Sequence, residues 1–282
     1  MKSVENTSKT KDDVGNLGGG SSKVEKPKQI VSTIVEDLRV PVESIIRDLK
    51  DSIDNGSYGL LIGDDVSARP VALLIRGIVD KAYKAADRED INTRFVPLYS
   101  SNIYNSVFDS LMTKEEKIRI GSLSFGRRGE EKSLILKQKL KEDFISKLDK
   151  KNLTGKKVLV ISDVIQYGDT LRPLLAGLKE EGISFDVVTV TAMNPGENGQ
   201  LVIGSGADNF YYAQQEVHSV YGKSDLAGVK KDQEKFKITS EPRKASFEDP
   251  AMKTQIQDSI KNSRADIKNL AEQIFNKVWA KQ

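Results

Sequence analysis

The chain has 282 residues, 38% of them hydrophobic, enough to fill the core of one large α/β domain or two small ones. Its 44 Lys and Arg against 41 Asp and Glu leave a net charge of +3, too weak a field over the whole molecule to mark a binder of nucleic acid or anionic membrane. With no cysteine and one histidine, His218, disulfides and thiolate metal sites are excluded and zinc is disfavoured, leaving oxygen-ligated Mg²⁺ as the metal to consider.

Residues 1–28 are polar and rich in Gly, Ser and Lys, a composition that buries too little apolar surface to offset ordering entropy and reads as a disordered tail. They contain no apolar core of a secretory signal, and no apolar run of about 18 residues occurs in the sequence, so the expectation is a cytoplasmic protein with no membrane span. From Pro41, the stripe Val42, Ile45, Ile46, Leu49 and Ile53 predicts an amphipathic helix, stopped at Asn55-Gly56. The run 58–63 predicts a strand. Residues 67–87 repeat apolar positions at helical spacing, with Pro70 suited to the first turn.

A second strand is expected over 93–100, pushed to an edge or a bulge by Pro97. Helical pieces near 103–112 and 129–150 flank a glycine-bearing loop that contains Arg127 and Arg128. The strand "KVLVIS" follows, then a turn through Thr170 and a helix closed by Gly182. Two more strands, 184–193 and 209–214, are separated by "NPGENG", which reads as a loop. Strands alternating with helices of this length predict an α/β fold with a parallel sheet and helices on both faces. The domain spans 29–245. Within the remaining segment, 246–282, Asp249 and Pro250 suit the start of a long amphipathic helix that packs on the sheet domain or on a second subunit, as in a homodimer.

The stretch "VLVISDVIQYGDTL", residues 158–171, concentrates the chemistry. Ligands of open α/β sheets bind beyond the carboxyl ends of the strands, so Asp163 is expected at that crevice. Gln166, Tyr167, Gly168, Asp169 and Thr170 would wrap from strand to helix and offer N–H groups and a hydroxyl to a phosphate monoester. An ordinary turn with Asp169 or Thr170 as helix cap is the plainer alternative. With its apolar run, acid, two apolar residues, glycine and Thr170 in gapless register, the stretch resembles the phosphoribosyl-pyrophosphate signature of the type I phosphoribosyltransferases. Two positions depart from it: Ser162 stands where the family has its first acid, and Tyr167 where it has a small hydroxyl residue.

That resemblance implies a five-stranded phosphoribosyltransferase-like core and transfer of ribose 5-phosphate from phosphoribosyl pyrophosphate to a nitrogenous base. It implies that Asp163, helped by Ser162, holds the ribose hydroxyls and that 166–170 hold the 5-phosphate. It also implies a pyrophosphate loop after the first core strand, where Ser67 and Arg69 lie, and a closing loop, where Arg127 and Arg128 lie. Asp64 and Asp65 either meet Mg²⁺ or cap the turn, and Arg127-Arg128 either close on the leaving pyrophosphate or sit on a solvated basic loop. Tyr211, Tyr212, His218 and Tyr221 either stack on a base or pack. Loss of the first acid leaves a second possibility: a catalytically weakened sensor of nucleotide or phosphoribosyl pyrophosphate that regulates a protein partner.

Overall fold

Continuous apolar runs in the strands call for cover on both faces, and helices with a single apolar stripe supply it. The computed structural model describes residues 33–64, 68–96, 113–121, 134–135, 137–138, 140–165, 170–192, 194–213 and 250–280. In chain order the elements are α1 (Thr33–Asp37), α2 (Arg39–Asp54), β1 (Tyr58–Asp64), α3 (Arg69–Ala85), β2 (Asn92–Val96), α4 (Lys114–Gly121), β3 (Lys157–Ile165), α5 (Arg172–Glu180), β4 (Phe185–Ala192), α6 (Pro195–Gly204), β5 (Asn209–Tyr212) and α7 (Pro250–Trp279). The strands form one five-stranded sheet in the order β2-β1-β3-β4-β5, every pair parallel. This is the expected α/β class, with β2 on an edge as Pro97 required.

Alternation along the strands divides the interior in two. Leu61 of β1, Leu159 and Ile161 of β3, and Val188 and Val190 of β4 pack with α1, α2, α3 and α7. Leu60, Ile62, Val158, Val160, Phe185 and Val187 face the other way, against α5, α6 and the segment around Ile145. The result is three layers with the sheet in the middle. Helix α7 packs on this chain's own sheet domain through Ile267, Leu270, Ala271, Ile274 and Val278. A Cβ on Gly77 of α3 would lie 3.0 Å from the Ala271 Cβ, so a small residue there sets how closely the two helices approach. Trp279 Nε1 donates to Asp54 Oδ1 at 2.7 Å and Arg39 Nη2 to Gln273 Oε1 at 2.8 Å, fixing α7 along α2.

Several sequence expectations need correction. The first helix begins at Arg39, ahead of Pro41, and α1 precedes it; Pro41 falls in the first turn, where no amide has an intrahelical acceptor. The helix expected to reach residue 150 stops earlier: the described positions between Leu134 and Asp143 are helical, a 3₁₀ turn spans Ile145–Lys147, and Leu148 is extended. Asp149 then closes a turn by accepting from Lys151 N and Asn152 Nδ2, the local competition with helix that Asp makes readily. "NPGENG" is the start of α6, not a loop: Asn194 takes a left-handed conformation (φ 55°, ψ 61°) and Pro195 occupies the first helical turn. Strand β3 continues three residues past Ser162, because Val164 and Ile165 still pair with Thr191 and Ala192 of β4. Helix α5 starts at Arg172, not near Asp169. The proposed tail 1–28 lies outside the described residues.

The amino ends of four strands meet on one carboxylate. Asp186 of β4, 1% exposed, accepts from the Tyr58 hydroxyl of β1 at 2.7 Å, from Lys157 Nζ of β3 at 3.2 Å and from Asn209 Nδ2 of β5 at 2.9 Å. Tyr83 of α3 joins through Tyr58, donating to its carbonyl at 2.8 Å and accepting from its amide at 3.1 Å. Burial first, and then the Asp186 carboxylate, push the Tyr58 phenol far above its ordinary pKa, so it remains a donor. Burial opposes the charge of Lys157, but its bonds to Asp208 and Asp186 outweigh that and hold its pKa above the usual value. This anchor lies at the end of the sheet opposite the crevice.

Candidate functional site

The crevice edge is formed where β1 ends at Asp64, β2 passes Val96, β3 ends at Ile165 and β4 at Ala192. Helices α3 and α5 begin there. Their N-caps are Ala68 and Leu171, neither of which makes a side-chain capping bond. Neither residue type can accept a hydrogen bond through its side chain, and Pro70 and Pro173 fill a first-turn position that needs no amide acceptor. The plainer expectation, that Asp169 or Thr170 is the N-cap of α5, is thereby corrected: Leu171 holds that position and Thr170 lies in the turn before it.

Asp163 lies within β3 rather than beyond it and is 2% exposed. The alternation that puts Leu159 and Ile161 on the α3 side does not carry through to Ile165, which packs on the α5 and α6 side. Ser162, 3% exposed, faces the α5 side, and its hydroxyl donates along the strand to the Val164 carbonyl at 3.1 Å. Thr189, its partner on β4, does the same with the Thr191 carbonyl at 2.9 Å. The serine in the place of the first acid is thus engaged inside the sheet.

Arg69 occupies the first turn of α3 and is 6% exposed. Its guanidinium carbon stands 4.4 Å from the centroid of the Phe95 ring, a planar cation on an aromatic face. Burial first, and then the charge of Arg264 on α7, lower its pKa to about 10. It is therefore cationic at neutral pH. Gly63 makes this arrangement fit: a Cβ there would lie 2.9 Å from the Ala72 Cβ and 3.0 Å from the Phe95 ring. Any larger residue would push α3 or Phe95 away.

Of the residues singled out in the sequence, the structure brings Ser162, Asp163, Arg69 and Thr170 to this edge, together with the main chain of Asp64 at the end of β1. Gln166, Tyr167, Gly168, Asp169, Ser67, Asp65, Arg127, Arg128, His218 and Tyr221, and the side chain of Asp64, lie outside the described residues. Tyr211 is half-buried among the packing residues of the α2 side, and Tyr212 stacks on Phe210 with centroids 5.5 Å apart. Sequence reasoning missed Phe95 and Asn198, the second a buried amide on α6 that donates to the Ile165 carbonyl at 3.0 Å. A polar residue in the first turns of an unrecognised helix was the signal for it.

Among the described residues, no group of three or more His, Asp or Glu side chains is placed to hold a metal ion. The carboxylate oxygens of Asp64 and Asp65 are of the hard type that suits Mg²⁺. Among the same residues no helix is long and apolar enough to cross a membrane. The fold and this edge define a three-layer α/β protein with a buried acid and a buried guanidinium beside the starts of two helices. No protein-family model, curated protein or solved structure matches the chain.

Proposed function

We propose that the carboxyl edge binds phosphoribosyl pyrophosphate and that the chain transfers its ribose 5-phosphate to a nitrogenous base with release of pyrophosphate, as the signature resemblance implies. The observation that carries this reading is that a buried carboxylate, Asp163 near the end of β3, and a buried guanidinium, Arg69 in the first turn of α3, both stand at the carboxyl edge of the sheet. An acid for hydroxyls and a planar cation for a diphosphate are two of the recognition elements such a ligand needs. Asp163 would hold the ribose hydroxyls, residues 166–170 the 5-phosphate, and Ser67 and Arg69 the pyrophosphate. Arg127 and Arg128 would close on the leaving group, whose charge must be stabilised as the anomeric carbon ionises toward an oxocarbenium-like state. Asp64 and Asp65 would meet Mg²⁺, which neutralises pyrophosphate charge when bound.

Arg69→Lys keeps the charge but loses the planar fork and its stacking on Phe95. The expected result is an inorganic pyrophosphate affinity lower by about tenfold, with ribose 5-phosphate affinity unchanged, measured by calorimetry. In the unaltered protein, pyrophosphate affinity should fall as pH rises through about 10, where Arg69 loses its proton.

A second reading is favoured by one observation. The Ser162 hydroxyl donates to the Val164 carbonyl and carries no charge, so it is a weaker acceptor for ribose than the first acid of the signature. The chain would then bind the ligand as a sensor that regulates a protein partner, with transfer weakened. Incubation with phosphoribosyl pyrophosphate, Mg²⁺ and a panel of nitrogenous bases separates the two: pyrophosphate release supports the transferase, and affinity without release supports the sensor. Neither binding nor release would overturn both.

A further inference from the structure

Strand β3 runs two residues beyond Asp163, to Ile165. Lys157 N donates to Ser57 O ahead of β1 at 2.7 Å and Val158 N to Ser184 O ahead of β4 at 3.0 Å. Gly63 pairs with Ile161, the last β1 partner of β3 among the described residues. Ile165 packs with Val202 on the α5 and α6 side. A buried carbonyl there needs a donor.

Asn198 supplies it. This side chain is 2% exposed, and its Nδ2 donates to Ile165 O at 3.0 Å. It is held from both ends: Asn198 N donates to Asn194 O at 3.0 Å within the first turn of α6, and Val202, one turn on, packs in the same apolar cluster as Ile165. The left-handed Asn194 before Pro195 starts α6 immediately after β4, so that this turn reaches the exit of β3. Backbone strain of this kind persists where the surrounding structure requires it.

We propose that Asn198 is a positioning residue: its buried amide holds the Ile165 carbonyl and so fixes the carboxyl end of β3, two residues beyond Asp163, in the geometry that binds ribose. This rests on the phosphoribosyl reading of the same edge. Asn198 touches neither the ribose nor the phosphates and acts through the backbone. Because Arg69 is carried by α3 on the other face, the pyrophosphate part of the site does not depend on it.

The test uses the full chain with Asn198→Ala and Asn198→Asp, the second keeping the size while removing the N–H donor. Calorimetry measures affinity for ribose 5-phosphate and for inorganic pyrophosphate separately, and hydrogen exchange follows the amides of residues 163–165. The expected result is ribose 5-phosphate affinity lower by about tenfold, pyrophosphate affinity within about twofold, and exchange at 163–165 faster by about tenfold. A general loss of structure would lower both affinities together. Unchanged exchange, or equal loss for both ligands, would overturn the proposal. If the unaltered protein binds no ribose 5-phosphate, the phosphoribosyl reading fails and the exchange measurement alone decides the role of Asn198. Should Asn198→Ala not fold, Asn198→Asp carries the same comparison.

Discussion

Asp186→Ala is expected to lower stability by about 3–5 kcal/mol, measured by urea denaturation, a large share of the ~5–15 kcal/mol that holds a typical domain together. The carboxylate is 1% exposed and receives the Tyr58 hydroxyl, the Lys157 ammonium and the Asn209 amide, one from each of three other strands. Removing it takes the acceptor from the buried Tyr58 phenol and the Asn209 amide and leaves Lys157 with Asp208 alone, and buried donors that lose their acceptor cost more than the bonds themselves contributed. Asp186→Asn retains an acceptor and the volume, so its loss should be smaller. A loss below about 1 kcal/mol for the alanine variant would show that the sheet's amino edge does not depend on this anchor. Ligand affinity of whatever remains folded should be unchanged, because the anchor lies at the opposite end of the strands from the crevice.

Asp163→Asn is expected to have the reverse profile. The asparagine keeps the volume and one acceptor oxygen of the buried side chain, so the effect on stability should be much smaller than that of Asp186→Ala. Hydrogen bonds to a charged acceptor are worth about 1.5–3 kcal/mol each. With two ribose hydroxyls recognised, phosphoribosyl pyrophosphate affinity should fall by about a hundredfold or more. Stability kept with affinity lost is the signature of a site residue; affinity within about threefold of the unaltered protein would remove Asp163 from the site.

The parts of the fold readable in the sequence are those in which one periodicity dominates. The apolar run of β1, the stripes of α2 and α3, and the spacing of Ile267, Leu270, Ile274 and Val278 in α7 each identify an element and its buried face. Helix α6 was hidden because its first residues, Pro195, Gly196 and Asn198, are turn formers, and only the context of a left-handed Asn194 makes them helical. Strand β3 looked complete at Ser162 because an acid follows; pairing with β4, a long-range contact, carries it on to Ile165. Asp186 is a single acid in an otherwise apolar strand, and its three donors lie far away in the chain. The same holds for the site. The order of acid, glycine and Thr170 is local and legible, whereas the stacking of Arg69 on Phe95 and the bond from Asn198 to Ile165 arise only when separate elements meet.

The central claim is tested most directly by calorimetric titration of phosphoribosyl pyrophosphate into the full chain, with and without Mg²⁺ and with ribose 5-phosphate for comparison. The account predicts saturable one-to-one binding that strengthens with Mg²⁺ and exceeds the affinity for ribose 5-phosphate, because the pyrophosphate adds contacts at Arg69. Absence of binding to either ligand, with the fold intact by circular dichroism, would contradict it.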